Sequence, residues 1–194
     1  MPDNHNTWNG CVTDRDQDHD VKNTAPTTSI KNTLFPAEQY DQCPAQMMGL
    51  SYDWTALNSK IDSLYPAGMT NQPIGLAWAF QSLTASPFTI PAKDSNYSYS
   101  DVIILMTDGL NTQSRHSNNQ SDIDAREKLL CANIKTAKLT IYTIHVNTGG
   151  DPAQQVLKDC ASDPTKYFEI KQANQMVSIF TEIGTQLSQL RISK

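Results

Sequence analysis

Hydrophobic and polar positions divide the chain into a polar first quarter and a longer stretch in which helix-type and strand-type patterns alternate. Residues 1–45 are irregular and interrupted by Pro26, Pro36 and Pro44, with a short edge strand expected at 10–13. Residues 46–51 read as a strand leading into a helix that Asp53 caps, with Leu57, Ile61 and Leu64 on one face. Pro66 and Gly68 end that helix. A second helix follows Thr70, with Ile74, Ala77, Trp78, Gln81 and Leu83 forming a mostly apolar face. After a Ser/Pro/Asn/Tyr-rich loop over 84–100, the run 102–107 reads as a buried parallel strand that stops abruptly at Asp108-Gly109. Ser121 and Asp124 have the form of a capping box ahead of a helix carrying Ile123, Leu130, Ile134 and Ala137. Residues 140–146 form the next strand, and Asp151-Pro152 opens a short helix. Residues 166–170 form a last short strand, and Met176, Ile179, Phe180, Ile183, Leu187 and Leu190 mark a final helix.

Strands alternating with helices predict an α/β fold, a Rossmann-like, mostly parallel sheet flanked by helices. In such sheets ligands bind outside the carboxyl ends of the strands. Asp108 stands at such an end, and Thr70 lies on a loop before a helix. A carboxylate and a hydroxyl are hard oxygen ligands, suited to Mg²⁺ or another hard divalent ion. Each also has a plain structural alternative at this point: Asp108 as a turn-forming residue beside Gly109, Thr70 as a helix cap.

Composition narrows the function classes. The 194 residues are 38% apolar and 18% charged with a net charge of −5, enough for one domain and without the basic balance of a nucleic-acid binder. No stretch is long and apolar enough to span a membrane, and the first residues lack the basic and apolar regions of a signal peptide. Cys11, Cys43, Cys131 and Cys160 include no Cys-x-x-Cys pair, which disfavours a zinc site. Of the three possible connectivities, Cys11–Cys43 with Cys131–Cys160 is favoured because each pair lies within one half of the chain. The acidic alternation over 14–20 is superficially like a calcium loop, but His19 and Ala25 occupy the positions that need Gly and Glu, so a solvated acidic loop is expected. Trp78 and Phe80 read as core residues and His145 as a structural histidine. No nucleophile elbow, zinc-protease pair or phosphate loop is present, so an enzyme is not expected.

The segments Gly68-Met69-Thr70-Asn71-Gln72-Pro73-Ile74-Gly75 and Leu105-Met106-Thr107-Asp108-Gly109-Leu110-Asn111-Thr112 resemble the second and third metal-site motifs of a von Willebrand factor A-type domain. Thr70 and Asp108 match the Thr and Asp of that pattern; its first motif, Asp-x-Ser-x-Ser, is absent. The resemblance therefore implies a divalent cation, Mg²⁺ or similar, held weakly. Trp8-Asn9-Gly10-Cys11-Val12-Thr13-Asp14-Arg15-Asp16, Leu50-Ser51-Tyr52-Asp53-Trp54, the two segments above, Ile141-Tyr142-Thr143-Ile144-His145-Val146 and Cys160-Ala161-Ser162 together resemble the TadG-type (TadE/TadG family) proteins of the bacterial tight-adherence, Flp-type pilus system.

That resemblance implies a non-enzymatic adhesion or assembly module, extracytoplasmic, disulfide-bonded and anchored in the membrane in full-length members. It would bind pilus components or a surface ligand at a metal-site-like rim. It also implies that this chain is a single, partial von Willebrand A-type domain over 1–194, lacking the anchor, first strand and first helix. Residues 1–45 would then be an irregular Cys-containing insertion and 46–194 the α/β core. Two other readings compete: a cytosolic von Willebrand A-type module in a chelatase-like assembly, which requires reduced cysteines, and a small hydrolase on a Rossmann-like sheet.

Overall fold

The computed structural model describes residues 5–39, 43–84, 88–90 and 92–189. Its regular elements are α1 (Trp54–Asp62), α2 (Gln72–Thr84), β1 (Val102–Thr107), α3 (Gln120–Thr136), β2 (Thr140–Val146), α4 (Gln155–Cys160), β3 (Tyr167–Ile170) and α5 (Gln175–Gln189), with short 3-10 turns between them. The chain divides into two compact units that interleave along the sequence: Met1–Pro91 with Asn111–Arg126, and Ala92–Leu110 with Glu127–Lys194. The division falls inside α3.

The second unit holds the sheet. Its order is β1-β2-β3, all parallel, with Val102 opposite Thr140 and Thr143 opposite Tyr167 at the starts of the two ladders. Ile141, Tyr142, Thr143, Ile144 and His145 of β2 are all buried, as expected of a strand covered on both faces. On one face Tyr142, Ile144 and Ile170 pack with Ile183 of α5, joined by Val102, Val146, Phe168, Met176, Ile179 and Leu187. On the other, Thr143 Oγ1 donates to the Leu157 carbonyl of α4 at 2.8 Å. The architecture is thus α/β, a three-stranded parallel sheet flanked by helices and compatible with a Rossmann-like fold. Leu190 falls outside the described residues.

The first unit contains helices and turns. A buried Arg15 occupies the place an apolar core residue would normally take. Its guanidinium donates to the carbonyls of Thr24 at 2.7 Å, Thr33 at 3.4 Å and Lys22, and lies 4.7 Å over the Phe35 ring. Phe35 stacks on Trp78 of α2 at 4.0 Å, and Phe88 meets Trp78 edge-on. The strand expected at 10–13 is a single antiparallel bridge, Val12 to Ala37. The strand expected at 46–51 does not form: this stretch finds no ladder partner, and Met47 and Leu50 are exposed. Asp53 does cap α1, its carboxylate accepting from the Ala56 N–H at 2.9 Å. Yet α1 buries none of its residues.

Two helix starts also differ from expectation. α3 is capped by Asn119, whose Oδ1 accepts from the Ser121 N–H at 2.9 Å, which leaves Ser121 inside the first turn. α4 starts at Gln155 because the Asn147 side chain engages both the N–H and the carbonyl of Asp151, at 2.7 Å each, and holds that stretch out of a helix. α3 ends in a Schellman motif: the Leu139 N–H reaches the Ile134 carbonyl and the Lys138 N–H the Lys135 carbonyl. Lys138 therefore sits at φ +67°, where glycine is favoured.

Both expected disulfides are present, with Cα–Cα separations of 5.6 Å for Cys11–Cys43 and 5.1 Å for Cys131–Cys160. Each lies within one unit. Among the described residues, no helix is long and apolar enough to cross a membrane.

Two stability outcomes follow from these features. Replacing both Cys131 and Cys160 by Ala opens a crosslink with a sequence separation of 29 and should cost about 3–4 kcal/mol in urea unfolding. Lys138→Gly should raise stability by about 0.5–1 kcal/mol, by removing the left-handed strain of a side chain; an unchanged or lower urea midpoint would contradict that.

Candidate functional site

The carboxyl end of the sheet, in the second unit, places Thr107, His145 and Glu169 side by side in the ladder. The turn after β1 is stapled by Thr107, whose Oγ1 accepts from the Gly109 N–H at 3.3 Å and donates to its carbonyl at 3.1 Å. Asp108 is thereby released from turn duty. It is exposed, and no described group hydrogen-bonds its carboxylate.

Behind it lies a polar network. Gln154 Nε2 donates to the Gly109 carbonyl at 2.9 Å and lies 3.2 Å from His145 Nε2. Asn147 Nδ2 donates to Glu169 at 2.8 Å and to the Asp151 carbonyl at 2.7 Å. His145 is buried, in keeping with a structural role.

Thr70 belongs to the first unit. Its backbone pairs with Thr112: the Thr70 N–H donates to Thr112 Oγ1 at 2.8 Å, and the Thr112 N–H donates to the Thr70 carbonyl at 2.9 Å. The cap of α2 comes from the next residue. Asn71 Oδ1 accepts from the Ile74 N–H at 3.3 Å, and Asn71 Nδ2 donates to Asp14 at 2.8 Å. Asn111 Oδ1 accepts from the Gln72 N–H at 2.9 Å, and its amide donates to Asp124 at 2.9 Å. With these positions filled, the Thr70 hydroxyl has no hydrogen-bond partner among the described residues. Thr70 and Asp108 therefore lie in different units, and each is spared the structural job that its position suggested.

The sequence pointed to Thr70 and Asp108 but not to Asn71, Thr107, Asn111, Asn147 or Gln154, which shape the two loops. One signal was available: an Asn two residues before Pro is a helix-start pattern.

The carboxylates of the acidic alternation near the amino terminus, also in the first unit, are already engaged. Asp14 accepts from the Arg115 N–H at 3.0 Å, and Asp16 pairs with the Arg115 guanidinium at 2.7 Å. Asp18 and Asp20 pair with Arg126 at 3.0 and 2.5 Å. The Asp20 hydrogen bond, ahead of Asp18, holds the Arg126 guanidinium above its ordinary pKa, whereas burial pushes Arg15 below its own, with Asp20 opposing. A cavity of about 300 Å³ opens beside this network, lined in part by Asp14, His116, Ser117, Asp122 and Arg126. Carboxylates already matched to guanidinium groups make poor calcium ligands.

In the second unit, Glu127, Cys131 and Cys160 bring ligand-type atoms within 4.8 Å of one another. Both sulfurs are joined in the disulfide, so the cluster offers a cation no thiolate.

No family model matches the chain, and no curated protein matches it. Among solved structures, the chain is similar to proximal thread matrix protein 1 (PTMP1) from the mussel byssus, at 21% identity over 66% of this chain and 28% of that chain, with a TM-score of 0.47. A second crystal form of the same protein gives 19%, 66%, 27% and 0.46. The chain thus spans less than a third of the length of those structures.

The division of labour between neighbouring side chains is testable. Asn71→Ala removes a helix cap and the amide bond to Asp14, and should cost about 1–2 kcal/mol in chemical unfolding. Thr70→Ala should stay within about 0.5 kcal/mol of the parent. Equal losses for the two would mean that the Thr70 hydroxyl is structural after all.

Proposed function

We propose that the chain is a von Willebrand A-type binding module of a TadG-like tight-adherence pilus-assembly protein, acting outside the cytoplasm and engaging a protein partner through the rim that carries Asp108. The observation that carries this reading is the free, exposed carboxylate of Asp108 at the carboxyl end of an apolar parallel strand, released because Thr107 holds the turn.

Three further features support it. The Thr70 hydroxyl is likewise left free because Asn71 caps α2. Two disulfides point to an oxidising environment and speak against a cytosolic, chelatase-like assembly. On α1, Trp54 and Ile61 are exposed at helical spacing, the kind of apolar stripe that marks protein contacts.

The carboxylate of Asp108 is a donor of the type a hard divalent ion takes. An ion held by a single carboxylate keeps most of its water and binds weakly. When bound, such an ion would present open positions to an acidic side chain of a partner, with Asp108 supplying the negative charge at the rim.

A thermal melt of the oxidised protein, with and without ~10 mM Mn²⁺ or Mg²⁺, tests the reading. An ion at a hundred times its dissociation constant adds about 2.7 kcal/mol, so a weaker site should give a smaller but measurable upward shift. The shift should vanish in Asp108→Ala. A melt that is cooperative but indifferent to the ions, or a shift that survives Asp108→Ala, removes the metal rim from the proposal. Four free thiols in the intact mass would remove the extracytoplasmic setting.

A further inference from the structure

The corner where α3 meets the end of α4, within the second unit, holds a carboxylate that the disulfide does not explain. Glu127 and Cys131 stand four residues apart on α3 and so share a helix face. Cys160, the last residue of α4, meets that face. Ligand-type atoms of the three residues lie within 4.8 Å of one another, and a Glu127 carboxylate oxygen is 3.9 Å from Cys160 Sγ. None of the three is more than 1% exposed. Glutamate is almost never buried so completely without a reason in its surroundings. The crosslink accounts for the two cysteines only, because a disulfide sulfur has no proton to give a carboxylate.

The corner is also held without the sulfur–sulfur bond. Lys135 Nζ of α3 donates to the carbonyls on either side of Cys160, that of Asp159 at 2.7 Å and that of Ala161 at 3.3 Å. Lys128 of α3 pairs with the Asp159 carboxylate at 2.8 Å. Ser162 and Ile141 of β2 exchange two hydrogen bonds: the Ser162 N–H donates to the Ile141 carbonyl at 3.0 Å, and the Ile141 N–H to Ser162 Oγ at 2.8 Å. Breaking the disulfide therefore leaves Cys160 facing Cys131 and Glu127 across the same helix contact.

We propose that in the reduced chain Glu127, Cys131 and Cys160 form a zinc site. A dithiol supplies the two electrons: its sulfurs join to each other as the Cys131–Cys160 bond breaks, and its two protons pass to the cysteine sulfurs. Zn²⁺ then takes both thiolates and displaces those protons to solvent. Two thiolates and a carboxylate are donors for a borderline-soft ion, and three protein ligands leave the fourth tetrahedral position open. Two ligands four residues apart on one helix face, with a third from another element, form a compact chelate. The sequence hides this set, since its ligands are gathered by helix pitch and by the α3–α4 contact rather than by a Cys-x-x-Cys spacing. The corner is thus crosslinked in either medium, by a covalent bond when oxidised and by an ion when reduced. Asp108 takes no part, so the site is independent of the metal-rim reading.

The test is a Co²⁺ titration of the full chain, reduced by a phosphine in urea and refolded without oxygen. The phosphine leaves as its oxide, with the oxygen taken from water. The expected result is one Co²⁺ per chain, with a thiolate-to-cobalt charge-transfer band in the near ultraviolet and the visible bands of a tetrahedral ion, all displaced by Zn²⁺. The oxidised chain should show none of these bands. Glu127→Gln, whose fold is checked in the oxidised form by circular dichroism, should weaken binding by at least ~10-fold. Cys160→Ala should abolish the charge-transfer band. Replacing Cys11 and Cys43 by Ala should leave it unchanged, and the parent chain carries the test if that variant does not fold. Zn²⁺ should raise the melting temperature of the reduced chain, or fold it outright if reduction has unfolded it. No cobalt band, a band that survives Cys160→Ala, an affinity indifferent to Glu127→Gln, or a reduced chain that stays unfolded with Zn²⁺ would each overturn the proposal.

Discussion

β2 is the strand on which the second unit depends. It is paired on both edges and its five central residues, Ile141 to His145, are buried on both faces, so those side chains have no route to water. Parallel pairing on either side has a geometric consequence. The strands finish at the same end, and Thr107, His145 and Glu169 fall in one row. The loops leaving β1 and β2 are then shaped by side chains that emerge from that row: Thr107 on the first, Gln154 between the first and His145, Asn147 on the second. Asp108 owes its freedom to this arrangement, because every neighbouring turn already has another residue holding it.

The first unit solves a different problem. It has to order a long irregular segment without a sheet, and a buried guanidinium does this. Arg15 offers donors in a fixed fork to three backbone carbonyls that no helix or strand would satisfy. Its flat face lies on Phe35, which continues through Trp78 into α2. Around this centre the acidic residues of the same segment meet Arg115 and Arg126. Backbone carbonyls are thus paired with one arginine and carboxylates with two others. A segment that reads as loose in sequence is folded, and its carboxylates are held by groups from elsewhere in the unit.

Much of the second unit was legible from periodicity. The runs at 102–107 and 140–146 are apolar and β-branched enough to read as strands, but only the second is buried as expected: in the first, Ile103 alone is buried, and Ile104 and Met106 stay 38% and 48% exposed; α3 and α5 carry apolar residues at helical spacing. The errors arose where a single polar side chain decides the outcome. Asn119 rather than Ser121 caps α3, and Asn147, whose amide serves two backbone groups at once, delays α4; neither leaves a periodic trace. The stretch 46–51 has strand-like composition but no partner, and pairing is a tertiary fact. Thr70 and Asp108 stand out in the sequence as hard-oxygen side chains by type and place. That neither is used structurally depends on Asn71 and Thr107, which spacing alone does not reveal. The engagement of the acidic loop was beyond reach for a similar reason: Arg115 and Arg126 are about a hundred residues away in sequence.

The Cys131–Cys160 bridge lies where the second unit is driest, at 1% and 0% exposure. Thiol–disulfide exchange needs a thiolate to approach a sulfur directly, and no such line of approach exists while α3 and α4 stay in place. The bond's lifetime in a reducing medium is therefore governed by how often that corner opens, rather than by the potential of the medium. A buried crosslink of this kind works as a clock: the rate at which it is lost reports the breathing of the fold around it.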